Sequence, residues 1–175
     1  MGRPRPAIAL ALFLAACPAA AQSPLPGDWA LSSDQTRPLK LPPRLEAESM
    51  DLDYVTPDSV SGLMTDLNGD GTPDFVLRSA LSLCGASGNC PFAIVDGATL
   101  RVLGHPGGSR LYFRARRING WPVIQSWWHM SAGSGLYATW VFDGTAYVDL
   151  ASVPVEGEGL EHLFTQLDSV PAKPR

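Results

Sequence analysis

Five residues within nine positions carry oxygen donors that could gather on one hard cation. They are Asp66, Asn68, Asp70, Thr72 and Asp74, in the segment Asp66-Leu67-Asn68-Gly69-Asp70-Gly71-Thr72-Pro73-Asp74. Calcium takes six to eight oxygens at roughly 2.3–2.6 Å. Side chains at alternate positions meet at one point only if the backbone curls tightly, and Gly71 is free to adopt the positive φ such a curl demands. Asp66, Asn68 and Asp70 would contribute side chains, Thr72 its carbonyl, and Asp74 a side chain or a water bridge. Three carboxylates held close together without a cation would repel one another. The expected cofactor is therefore Ca2+, in a structural role, since no neighbouring residue suggests substrate chemistry.

Counted as an EF-hand, the loop would need a bidentate Glu at its twelfth position, where Leu77 stands. Residues 75–78 are also strand-like and not helical. The run from Asp66 to Leu77, DLNGDGTPDFVL, instead resembles the calcium loops of FG-GAP and VCBS-type repeats, which sit between strands of β-propeller blades. That resemblance spans about a dozen of the 175 residues and implies a calcium-stabilised β-hairpin. Those families repeat the motif to close a propeller, whereas this chain carries a single copy.

Other residue types in the chain bear on chemistry as well. Cys84 and Cys90 flank Gly85-Ala86-Ser87-Gly88-Asn89, and a disulfide closing so short a loop is expected to contribute about 2–3 kcal/mol. His105, His129 and His162 have no ligand-like spacing, which leaves zinc without support. Ser134 lies between two glycines but outside the G-x-S-x-G elbow. Trp127-Trp128-His129 reads as strand, which places Trp128 inside with Ile124 and Met130, and Trp127 outside with Gln125 and His129. An outward Trp127, with Tyr112 and Tyr137, is a candidate ligand surface able to stack on a sugar or a peptide; the alternative is that Trp127 packs against a second sheet or the N-terminal arm. Arg110, Arg114 and Arg116 read as a solvated strand face, with anion binding as the alternative.

The elements that would position these groups are short β-patterned runs divided by Gly-rich turns. Strands are expected at Phe75 to Leu83, Phe92 to Val95, Leu100 to Leu103, Arg110 to Arg117, Val123 to Met130, Leu136 to Phe142 and Ala146 to Leu150, with a short helix at Leu160 to Leu167. Leu136, Ala138, Trp140 and Phe142 share one inward face. The turns Asp96-Gly97, Asn119-Gly120 and Asp143-Gly144 recur every 23 to 24 residues. In a regular meander they fall at one end with the acidic loop, while the Cys84–Cys90 loop, His105 to Ser109 and Ser131 to Gly135 fall at the other. The fold class is all-β, a mainly antiparallel meander, either propeller-blade-like or a small sandwich, behind a Pro-rich arm.

Residues 1–21 read as a signal peptide: Arg3 and Arg5, an apolar run from Ala7 to Ala16, and Ala19-Ala20-Ala21 as the cleavage site. Residues 22–57 form a Pro-rich extended arm (Pro24, Pro26, Pro38, Pro42, Pro43, Pro57), with an edge strand expected around Met50 to Val55, and residues 58–175 the β-rich domain. Losing the leader removes two of the 13 basic residues and none of the 17 acidic ones, moving the net charge from −4 to −6. That balance argues against a nucleic-acid partner. Leu14-Ala15-Ala16-Cys17 resembles a lipobox, the one route by which this chain would be membrane-anchored. The expectation is a periplasmic or secreted, non-enzymatic, calcium-stabilised domain that binds an envelope protein or glycan; the alternative is an enzyme or enzyme inhibitor acting on the cell wall, presenting its disulfide-stapled loop.

Overall fold

A computed structural model of the chain describes residues 27–45 and 60–173. The leader, Cys17 and the strand expected at Met50 to Val55 lie outside these residues. Eleven strands are described: β1 (Trp29–Ser32), β2 (Arg37–Pro38), β3 (Ser61–Thr65), β4 (Asp74–Arg78), β5 (Cys90–Asp96), β6 (Arg101–Gly104), β7 (Gly107–Gly108), β8 (Arg110–Ile118), β9 (Trp121–Ser131), β10 (Ser134–Phe142) and β11 (Tyr147–Glu156). A helix, Glu158–Leu167, follows. One sheet runs β1-β8-β9-β10-β11 and the other β2-β3-β4-β5-β6, with β7 paired to β5. Every paired neighbour is antiparallel. The architecture is a two-sheet sandwich, and among the described residues neither sheet closes into a barrel or a propeller.

Alternation of side chains along the strands builds the core. From the first sheet Leu31, Leu111, Phe113, Ile124 and Phe142 face Val76, Phe92, Ile94 and Leu103 of the second. Trp29 lies flat on Phe113, ring centres 4.0 Å apart. The outer face of the second sheet, Phe75, Leu77, Ala93 and Val95, is covered by Leu41, Leu45 and Val60. The outer face of the first, Ala30, Tyr112, Trp127 and Tyr137, is covered by Leu160, Leu163 and Leu167 of the helix. Four layers result, and each sheet is covered on both faces along part of its length.

That last layer overturns the proposed ligand surface. Trp127 does point to the outer face, but it is 2 % exposed, with Tyr112 at 1 % and Tyr137 at 2 %. The ring of Phe164 meets Trp127 edge-on, centroids 5.3 Å apart, so Trp127 packs on the helix, in a cluster that also holds Ala30 of the arm. Gly135 makes room for its indole: a Cβ at that position would lie 2.3 Å from the ring. Arg114 is likewise buried and not solvated. It donates to Gln125, to Asp28 at 2.9 Å and to the Tyr137 hydroxyl at 3.4 Å, while Asp28 also accepts the Ala115 N–H at 2.7 Å.

The described part of the Pro-rich arm belongs to the domain, since β1 extends the first sheet, β2 the second, and Leu41 and Leu45 seal its back. The strand expected at Phe75 to Leu83 stops at Arg78, because residues Leu81–Leu83 form a single 3-10 turn leading into the disulfide. The ends of the meander are sorted as its turn spacing requires. Gly97 N–H reaches Asp74, Arg117 bridges the carbonyls of Leu67 and Gly120, and Asn119 donates to Phe142 O, which ties the acidic loop to all three tight turns. At the opposite end Asn89 bonds His129, and β7 backbone packs on Trp128.

Candidate functional site

The acidic loop joins β3 to β4 as a hairpin connection. Asp66 accepts the N–H groups of Gly69 at 2.6 Å and Gly71 at 2.9 Å. Asn68 accepts from Asp70 N–H, and Asp70 from Thr72 N–H at 2.7 Å and from the Asn68 amide at 2.9 Å. Gly69 and Gly71 both take positive φ, +85° and +88°, which is the curl anticipated at Gly71. The Thr72 N–H, followed by the Asn68 amide, holds the Asp70 carboxyl below its ordinary pKa.

Asp74 behaves differently from the other four. It is fully buried, and its two oxygens accept Leu67 N–H at 2.7 Å and Gly97 N–H at 2.9 Å. Desolvation raises its pKa against those hydrogen bonds. Both carboxylate oxygens already anchor backbone, so Asp74 serves as the loop's base. Among the described residues no three His, Cys, Asp or Glu side chains gather as a metal-holding group. Asp66 and Asp70 are exposed and Asn68 and Thr72 half-buried, and an oxygen that accepts one hydrogen bond still has a lone pair to spare.

A second feature, at the opposite end, has no single motif behind it. Strands β9, β10 and β11 are 11, 9 and 10 residues long, whereas those of the second sheet run from 2 to 7. The long strands outrun their cover, and their inward residues floor a cleft of ≈ 400 Å³. The register sets Trp128 opposite Leu136, Ser126 opposite Ala138, Ala138 opposite Ser152 and Trp140 opposite Asp149. Pro91, His105 and Gly107 form the facing wall. Volume and a mostly apolar lining with a few placed polar groups are the features of a small-ligand site.

Within the cleft, Trp140 Nε1 donates to Ser126 Oγ at 3.2 Å, and Ser152 donates to the Asp149 carboxylate at 2.5 Å. Trp128 is 40 % exposed. Neighbouring apolar surface disfavours the charged form of His105 and lowers its pKa. The Cys84–Cys90 disulfide expected from the sequence is formed, with Cα atoms 4.3 Å apart. Asn89 clamps its loop to β9, accepting His129 N–H at 2.9 Å and donating to His129 O at 2.7 Å.

The sequence reading therefore placed the aromatic surface on the wrong face of β9. Its inward assignment of Leu136, Ala138 and Trp140 was correct, but those positions were read as core. Strand length separates cleft from core, and the expected runs did not show it: β9, β10 and β11 are 11, 9 and 10 residues long, longer than the runs Val123 to Met130, Leu136 to Phe142 and Ala146 to Leu150. Neither a family model, a curated protein nor a solved structure matches this chain.

Proposed function

We propose that this is an exported, non-enzymatic binding module that takes a glycan of the cell envelope in the cleft floored by β9, β10 and β11. The observation that carries the reading is the pairing, in one concave apolar site, of two tryptophans with a single carboxylate. A pyranose ring has an apolar face of C–H groups that stacks on indole and a rim of hydroxyls that bond carboxylate and hydroxyl oxygens. Trp128 and Trp140 supply the first kind of contact, and Asp149 with Ser152 the second. Calcium held by Asp66, Asn68, Asp70 and the Thr72 carbonyl would brace the far end of the same sandwich, with Asp74 fixing the loop from beneath.

Titrating muropeptides and other envelope glycans while following tryptophan fluorescence tests the cleft. Saturable binding is expected in the parent and is lost in Trp128→Ala and Trp140→Ala. Undiminished binding in both variants, or none in the parent, removes the reading. For the loop, calcium added to chelator-treated protein should raise the melting temperature, and the rise should vanish in Asp70→Ala; equal melting with and without calcium removes the ion.

One observation favours a second reading. Leu81 is 71 % exposed beside a loop made rigid by a disulfide and by the Asn89 clamp, as a surface presented to a protein would be. An inhibitor of wall hydrolases would use that loop. Inhibition lost in Leu81→Ser but retained in Trp140→Ala would favour it over the glycan site.

A further inference from the structure

Two arginines are buried in this domain, Arg114 on the outer face of the first sheet and Arg78 between the sheets, and they are treated in opposite ways. Arg114, 7 % exposed, places three nitrogens on Gln125, Asp28 and Tyr137. Arg78, 6 % exposed, ends β4 with its Nε buried and without an acceptor. The ion pairs among the described residues, Arg110–Asp168 and Arg114–Asp28, leave it out. Alternation with Val76 sets Arg78 on the inter-sheet face, in a cross-strand row with Ser61 on β3 and Phe92 on β5. Ser61 is buried on that face and carries a hydroxyl.

A guanidinium does not solve its burial by losing a proton, because its pKa is too far above neutrality. Native interiors supply partners to buried donors, and a buried cation left alone is strongly destabilising. Among the described residues, then, no side chain supplies an acceptor to the buried Arg78 Nε. We propose that Arg78 is the anchor of an anion site, in which an oxyanion of the carboxylate or phosphate class is taken by the guanidinium fork with the Ser61 hydroxyl beside it. Nε and one terminal nitrogen suit the two oxygens of such a group, in the bidentate geometry that carboxylates and phosphates share. The site is separate from the aromatic cleft and does not depend on it.

Thermal unfolding of the mature chain in chloride, phosphate and acetate, at fixed pH and ionic strength, tests this in the parent, Arg78→Met and Arg78→Lys. Phosphate or acetate should raise the parent's melting temperature saturably, by a few degrees. The rise should shrink in Arg78→Lys and be absent in Arg78→Met. Which anion acts at lower concentration identifies the source of the oxyanion. Equal shifts in parent and Arg78→Met would reveal a general salt effect and overturn the site. Anion-independent melting overturns it too: a more stable Arg78→Met marks an idle charge, and a less stable one marks a partner within the chain. Should Arg78→Met fail to fold, the Arg78 Nε–H resonance of the parent must still move on anion titration, and its standing still sinks the proposal.

Discussion

Each end of the sandwich is pinned by one buried side chain that bridges two stretches of backbone, but the two pins have opposite chemistry. Asp74 offers two acceptors, to the N–H groups of Leu67 and Gly97. Asn89 offers one acceptor and one donor, to the N–H and C=O of His129. The acidic end is hydrogen-bonded throughout and presents oxygen, whereas the disulfide end presents indole and aliphatic surface. One architecture can therefore carry a hard-ion loop and a soft, apolar cleft because the strands fix only where the two ends lie. What each end does is decided by the side chains that lock its loops.

The largest effect should separate the adjacent tryptophans of β9. Trp127→Ala empties the layer between sheet and helix and is expected to cost about 3–5 kcal/mol in denaturant unfolding. Trp127→Phe should cost much less, because the lost indole N–H has no partner where it is buried. Trp128→Ala, on the cleft side, should change stability by about 1 kcal/mol or less while abolishing glycan binding. A Trp127→Ala protein as stable as the parent would show that the helix does not seal the first sheet.

Next come the pins themselves. Asp74→Ala leaves two N–H groups unpaired in a buried place and should cost about 2–5 kcal/mol. Asn89→Ala should cost about 2–3 kcal/mol on the same grounds and loosen the disulfide loop. Near-isosteric exchange sharpens the contrast. Asp74→Asn turns an NH2 group toward an N–H, and Asn89→Asp turns an oxygen toward the His129 carbonyl, so each should lose most of what alanine loses. If either exchange were neutral in equilibrium unfolding, that pin would not hold its loop.

These residues also show where the sequence could be read and where it could not. The hairpin at Asn119-Gly120 was legible because a two-residue turn with positive φ at both positions, +50° and +86°, admits few other pairs. The acidic loop was legible because its geometry is contained within nine residues. β1 left a trace in the gap without proline between Pro26 and Pro38, which the density of prolines around it obscured. The Asp28–Arg114 pair joins positions 86 apart, and no local pattern announces it. Trp127 and Trp128 were assigned to the correct faces, but exposure depends on what covers each face. The helix that buries the first and the short opposing strands that uncover the second are both distant in the chain.

The smallest expected effect concerns His105 and divides the two ends by pH. Apolar surroundings at the cleft wall lower its pKa below the ordinary imidazole value, so the unfolded chain takes up its proton first as pH falls. Wherever the unfolded state binds more protons, stability rises with pH. Acidification from about pH 7 through the ordinary histidine range near 6.5 should thus weaken the fold, and the loss should level off once folded His105 is also protonated. His105 sits at an exposed rim, where solvent screens much of the cost, so the change is a shallow slope in melting temperature. His105→Gln should flatten that slope over pH 7 to 5 without altering the calcium response at the acidic loop, which lies at the other end. A variant that melts with the same pH dependence as the parent would place the proton uptake elsewhere. One that also lost its calcium shift would show that the two ends are not independent.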